Sequence, residues 1–98
     1  MEYEVVTTEV FDNWLDGLRD RVAQKAIATR LIRAASGLFG DVEPIGEGVS
    51  EMRVHVGAGY RAYFVIRGRQ LIVMLCGGDK KSQKRDIERA KELAAELD

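Results

Sequence analysis

The chain has 98 residues, 46% of them hydrophobic and 32% charged, with a formal net charge of −1. This composition is globular and not disordered, and the length suits a single domain with one modest core. No apolar run approaches the roughly 20 residues of a bilayer span, and the acids of the opening MEYEVVTTEVFD argue against a signal peptide, so a cytoplasmic location and no membrane partner are expected.

Glu2–Val6 reads as a short opening strand, after which Thr7 or Thr8 can cap a helix. Phe11, Leu15 and Leu18 then fall at helical spacing, with Trp14 beside them. Asp20 can start a second helix whose inner face carries Ile27, Leu31, Ala34 and Leu38, and Gly37 and Gly40 mark its end. Asp41–Gly48 holds the chain's one proline and two glycines and reads as a loop.

Beyond this point the period changes from 3.6 to 2. Met52, Val54 and Val56 alternate with Glu51, Arg53 and His55, and Tyr60, Ala62, Phe64 and Ile66 alternate with Arg61, Tyr63 and Val65. Gly57–Gly59 and the region of Gly68 supply turns, and Leu71–Cys76 is a continuous apolar strand. The pattern predicts a three-stranded antiparallel meander, broken by Gly77-Gly78-Asp79. A last helix follows, with Ile87, Ala90, Leu93 or Ala94, and Leu97 on one face. A three-residue loop at Gly57–Gly59 would pair Val56 with Tyr60, Val54 with Ala62 and Met52 with Phe64. Arg53 would then face Tyr63, and His55 would face Arg61, on the side away from the core residues. Val65, Ile72 and Met74 are expected on that same side, covered by the last helix or by a partner.

The charge is unevenly spread. Residues 53–85 carry eight bases (Arg53, Arg61, Arg67, Arg69, Lys80, Lys81, Lys84 and Arg85) against one acid, Asp79, whereas residues 1–52 net −5 and residues 86–98 net −3. A basic segment inside a near-neutral chain is the footprint of a phosphate-rich partner, usually nucleic acid. Lys80, Lys81, Lys84 and Arg85 crowd the start of the last helix, where cations are mildly unfavourable unless an anion binds there. Gly77-Gly78 would let backbone approach such an anion closely.

Other chemistries find little support. Gly77–Ser82 lacks the spacing of a phosphate-binding P-loop. The single histidine and the single cysteine, Cys76, form no metal-ligand cluster, so no metal and no cofactor are expected. Cys76 lies in the apolar LIVMLC run and reads as a small core residue. Asp12, Asp16 and Asp20 read as a solvated helix stripe.

The order of elements, together with FDNWLDGL, GEGVSEMRVHV, GAGYRAYF and GGDKKSQKRDI followed by an alanine-rich helix, resembles the RelE/ParE toxin superfamily. Within it, the strings resemble most the HigB-like, addiction-module killer branch. The resemblance spans essentially the whole chain and implies an α+β fold of order β-α-α-β-β-β-α. In that fold an antiparallel sheet carries helices on one face and a C-terminal helix. It implies a type II toxin with a cognate antitoxin, typically a small helix-turn-helix protein through which alone operator DNA would be bound. RelE-like members cleave mRNA on the ribosome; ParE-like members inhibit DNA gyrase. A third possibility is a non-toxic component of a repressor complex.

Carried over, Arg61 matches the family arginine at the scissile phosphate, Arg53 lies in the preceding basic strand, and Lys80 and Lys81 occupy the basic segment after the last strand. The implied reaction is a metal-independent attack of an RNA 2′-OH on the adjacent phosphate. Arg61 and Lys80 would stabilise the developing charge. Arg53 and Lys81 would hold flanking phosphates, with Lys84, Arg85, Arg67 and Arg69 as further RNA contacts. Tyr63 would orient the nucleophile or stack a base. His55 is the candidate general base, because imidazole exchanges protons near neutral pH. The chain departs from the ribonuclease pattern in having no aromatic residue or histidine after Lys80.

Overall fold

The structure, a computed structural model, describes residues 2–97. Its elements run β1 (Glu4–Thr7), α1 (Glu9–Asp16), α2 (Arg21–Ala35), β2 (Val42–Gly46), β3 (Val49–Val54), β4 (Tyr60–Arg67), β5 (Leu71–Asp79) and α3 (Gln83–Glu96). The five strands form one sheet of order β1-β5-β4-β3-β2, in which β1 lies parallel to β5 and the other pairs are antiparallel. The α+β class and the closing helix agree with the expectation. No helix among the described residues is long and apolar enough to cross a membrane.

Both N-terminal helices start where their capping residues predict. Thr8 Oγ1 accepts from Phe11 N at 3.0 Å and donates to Leu75 O at 2.6 Å, so one hydroxyl caps α1 and ties it to β5. Asp20 Oδ1 accepts from Ala23 N at 3.0 Å and caps α2. Helix α2 ends at Ala35, one turn earlier than the apolar spacing suggests, and Leu38 lies beyond it, 65% exposed.

Two apolar layers sandwich the sheet. Phe11, Ile27, Ala34, Met52, Val54, Ala62, Phe64, Ile72 and Met74 bury one face under α1 and α2. Val49, Tyr63, Val65, Val73, Leu75, Cys76, Ala90 and Ala94 bury the other under α3. Val65 lies on the α3 side as expected, but Ile72 and Met74 do not. They pair with Ile66 and Phe64 and face α1 and α2. A bulge between Tyr63 and Phe64 leaves Leu75 as an extra residue, so Leu75 and Cys76 both reach the α3 side.

Residues 41–48 are the clearest departure, because the expected loop contains β2. Pro44 is tolerated because β2 is an edge strand, where no further neighbour needs its missing N–H. The β2–β3 connection is the two-residue loop Glu47-Gly48, with φ of 55° and 78°, a primed hairpin turn closed by glutamate and glycine in place of the usual Asn-Gly.

The meander forms, but with β3 and β4 two residues away from the expected register: Val54 pairs with Tyr60, Met52 with Ala62, Arg53 with Arg61 and Glu51 with Tyr63. A slip of two preserves which side chains share a face. The chain leaves the ladder after Val54 because Val56 N bonds back to Val54 O, and Gly59 N to Val56 O, each at 3.0 Å. These two tight turns make a five-residue loop and carry His55 out of the sheet.

Candidate phosphate-binding site

Register places the site. Arg53, Arg61 and Gly78 lie side by side across β3, β4 and β5, and Lys80 follows two residues after Gly78. Neighbouring strands are about 4.8 Å apart, so these positions share one end of the sheet beside the start of α3. Lys80 folds its stem over Gly59, whose φ of +81° needs a glycine and where a Cβ would sit 2.8 Å from Lys80 Cε.

Arg61 is set into a buried polar knot. Its Nε lies 3.4 Å from Oε2 of Glu51, and the two side chains are 14% and 2% exposed. The same oxygen accepts from Tyr63 OH at 3.0 Å and from Gln83 Nε2 at 2.9 Å. One carboxylate oxygen thus joins β3, β4 and the first turn of α3. Arg61 Nε is enclosed and, at 3.4 Å, makes no well-formed hydrogen bond. Tyr63 is 0% exposed. Burial, and next the hydrogen bond to Glu51, push its hydroxyl far above the usual phenol range. The expectation that Tyr63 stacks a base or meets the nucleophile is therefore corrected: its ring belongs to the core and its hydroxyl is spent on Glu51.

Arg53 sits in a second, surface network. Its guanidinium donates to Asp41 Oδ1 from Nη2 at 2.9 Å and from Nε at 3.2 Å, and from Nη1 to Glu43 Oε2 at 2.7 Å. His55 Nε2 lies 2.6 Å from the other Asp41 oxygen, with the His55 side chain 70% exposed. Hydrogen bonds from Arg53 and then His55 hold the Asp41 carboxyl down at about 2. An ionised carboxylate only accepts, so Nε2 carries the proton and Nδ1 of a neutral ring is left as the acceptor. The expected juxtaposition of His55 with Arg61 in the sheet is thus replaced by a His55–Asp41–Arg53 chain on the loop.

The start of α3 is also not as expected. Asp79 Oδ1 accepts from Lys81 N at 2.9 Å and Ser82 N at 3.2 Å, while Ser82 Oγ donates to Asp86. The chain supplies its own carboxylates where a bound anion was anticipated. Gly77 and Gly78 likewise serve packing: a Cβ on Gly77 would overlap the Trp14 ring, and one on Gly78 would overlap Asp86 and Ser82. Lys80, Lys81, Lys84 and Arg85 stay exposed. A polar depression of about 430 Å³ lies here, lined by Asp79, Lys81, Ser82 and Arg85.

Arg67 and Arg69 do not join this cluster. Six residues of β4 separate Arg67 from Arg61, about 20 Å along a strand. Arg67 Nη2 donates to Ala94 O at 3.0 Å, satisfying a carbonyl of the last turn of α3. Arg69 projects from the β4–β5 turn at that same far end. The depression there, about 440 Å³, has Glu2 and Glu4 against the single cation Arg67 and is a poor match for phosphate.

Sequence reasoning missed Glu51, Gln83, Asp41 and Glu43, the residues that hold the arginines. Glu51 was within reach, because its alternation places it on the Arg53–Tyr63 face that α3 covers. It also missed Arg30, which ties α2 to the site by donating to the carbonyls of Arg53, Phe39 and Asp41, the last two at 2.9 and 3.2 Å. Burial lowers the Arg30 pKa. Cys76 is buried as expected, and burial, then Asp86, pushes its thiol up to about 12.

Comparison with known proteins identifies the family. Residues 13–96 match the model of a family described as phage derived protein Gp49-like (DUF891). A protein of Haemophilus influenzae, described as uncharacterized, is 41% identical over 97 residues, covering 99% of this chain and 98% of its own length. The chain therefore belongs to the phage-derived Gp49-like family, a family of addiction-module toxins.

Proposed function

We propose that this protein is the toxin of a type II toxin–antitoxin module and acts as a ribosome-dependent mRNA endoribonuclease of the HigB-like kind. It is neutralised by an antitoxin of the helix-turn-helix type, which alone carries the complex to operator DNA. The observation that supports this reading is the placement of Arg61 and Lys80 at one sheet end, beside the exposed Lys81, Lys84 and Arg85, with Arg53 next to them but neutralised by Asp41 and Glu43. Phosphate contacts of this kind position a strand without reading its sequence.

In the proposed reaction the 2′-oxygen of one nucleotide attacks the adjacent phosphorus. A P–O2′ bond forms, the P–O5′ bond breaks, and the products are a 2′,3′-cyclic phosphate and a 5′-hydroxyl. Nδ1 of His55, the ring nitrogen that Asp41 does not engage, takes the 2′-OH proton of RNA that reaches from Arg61 to this loop. Arg61 donates to the non-bridging oxygens as their charge grows, which is usually a large catalytic contribution. The Lys80 ammonium faces the leaving 5′-oxygen and supplies its proton. The scheme needs no metal ion.

A gyrase-inhibiting toxin would use the same basic surface without chemistry. The test is purified protein added in parallel to a reconstituted translation reaction and to a gyrase supercoiling reaction. The proposal expects translation to stop while supercoiling continues. Undisturbed translation with arrested supercoiling would overturn it.

A further inference from the structure

Buried carboxylates are rare unless they are paired and hydrogen-bonded, and Glu51 is the sole buried charged residue among the described ones. All three of its contacts meet on Oε2: Arg61 Nε at 3.4 Å, Tyr63 OH at 3.0 Å and Gln83 Nε2 at 2.9 Å. Neither the ladder nor the apolar layer on this face requires a charge at that position. Its neighbours in strand order do, because Arg61 would otherwise be free to swing.

The guanidinium is a planar fork. Its Nε edge is turned inward to Glu51 and enclosed, while neither Nη amine has a hydrogen-bond partner among the described residues and neither is enclosed. An arginine whose inner edge is enclosed and ion-paired with a buried carboxylate presents the outer edge, the arrangement that bidentate recognition of phosphate needs. The same oxygen holds Gln83, three residues after Lys80, so it also sets where the basic segment stands relative to Arg61.

We infer that Glu51 is a positioning residue, whose buried carboxylate orients the Arg61 guanidinium toward a phosphate and pins the start of α3 beneath it. The inference rests on the reading of Arg61 as the phosphate-binding cation. It gives Tyr63 a supporting role, as a donor that keeps the carboxylate in place.

Two measurements test it. The first is hydrogen exchange of arginine Nε–H groups in the wild-type protein, followed by NMR. The Arg61 Nε–H should exchange at least about tenfold more slowly than that of exposed Arg69 or Arg85. Equal rates would overturn the inference, whatever the protein's activity. The second compares single-turnover cleavage of ribosome-bound mRNA by wild-type and Glu51→Gln protein. The amide keeps the shape but removes the charge, so the maximal rate should fall about 10²-fold while half-saturation stays within roughly a factor of three. At the same time the Arg61 Nε–H signal should shift and its exchange accelerate. A folded Glu51→Gln protein that cleaves at the wild-type rate would overturn the inference. If wild-type protein cleaves nothing, the ribonuclease reading fails, and the exchange measurement alone decides whether Glu51 holds Arg61. The exchange measurement also decides if Glu51→Gln does not fold.

Discussion

Replacing Arg61 by alanine should unfold part of the population as well as remove a cation. The substitution leaves Glu51, 2% exposed, without its counter-charge. Breaking a buried pair from one side costs about 3–5 kcal/mol. Tyr63 and Gln83 still donate to the carboxylate, which places Arg61→Ala near the lower end, about 3 kcal/mol. In a domain of this size each kcal/mol lowers Tm by about 4–8 °C, so the expected fall is roughly 12–24 °C. Glu51→Gln removes the charge that Arg61→Ala strands, so the two losses should not add, and a coupling of about 1.5 kcal/mol or more is expected. Urea and thermal melts of the four proteins in the cycle measure this. A loss below about 1 kcal/mol for Arg61→Ala, with effects that add within about 0.5 kcal/mol, would refute the reasoning. Arg61→Lys is the variant suited to functional work, because an ammonium can still answer Glu51 while lacking the fork that grips a phosphate.

Gly77→Ala should destabilise by about 1–3 kcal/mol and shift the Trp14 fluorescence, because the new methyl overlaps the indole. Unchanged stability with weakened RNA binding would instead return this glycine to a phosphate-approach role. Asp41 should titrate near 2 by NMR, since Arg53 and then His55 stabilise its ionised form. Its folded value lies below the unfolded one, so its contribution to stability is present above about pH 4 and is lost as pH falls through about 2. A midpoint near the ordinary 3.8 would contradict the network. Cys76 should resist thiol reagents at pH 8 in the native protein and react only on unfolding, since burial pushes its thiol up to about 12; stoichiometric native labelling would be the contrary result.

Several elements are written plainly in the residues. Thr8 and Asp20 stand where hydroxyl and carboxylate caps are needed, and each makes its cap bond at 3.0 Å. The alternation through Met52–Val54 and Tyr60–Ile66 assigns the buried face of β3 and β4, and the slip of two residues leaves that assignment intact. What shifted the register was the pair of local turns after Val54, while His55, carried out of the ladder, meets Asp41 across the fold. Strand β2 was hidden by Pro44, which reads as a strand breaker until the strand is known to be at an edge. In the continuous run Leu71–Cys76 there is no apolar–polar alternation to follow. Pairing with Ile66 and Phe64 sends Ile72 and Met74 to the α1–α2 side, and the bulge then puts Leu75 and Cys76 together on the α3 side.

The candidate site shows the same division. The cations were visible as a charge cluster, and Arg53, Arg61 and Lys80 do come together. The acids that manage them were not visible, because charge counting treats Glu51, Asp41 and Glu43 as distant compensation. In the fold Asp41 and Glu43 neutralise Arg53, Glu51 holds Arg61, and Arg67 is drawn off to a helix end. The cationic patch is smaller than the sequence suggests, and the proposed phosphate contacts narrow to Arg61, Lys80 and the exposed bases beside them.

The most direct test of the central claim is primer extension on a defined mRNA in a reconstituted translation reaction, with and without ribosomes, using wild-type and Arg61→Lys protein. The account predicts cuts within codons that need ribosomes, leave a 2′,3′-cyclic phosphate, and are lost in the folded Arg61→Lys variant. Intact mRNA under every condition, or cuts that persist unchanged in Arg61→Lys, would contradict it.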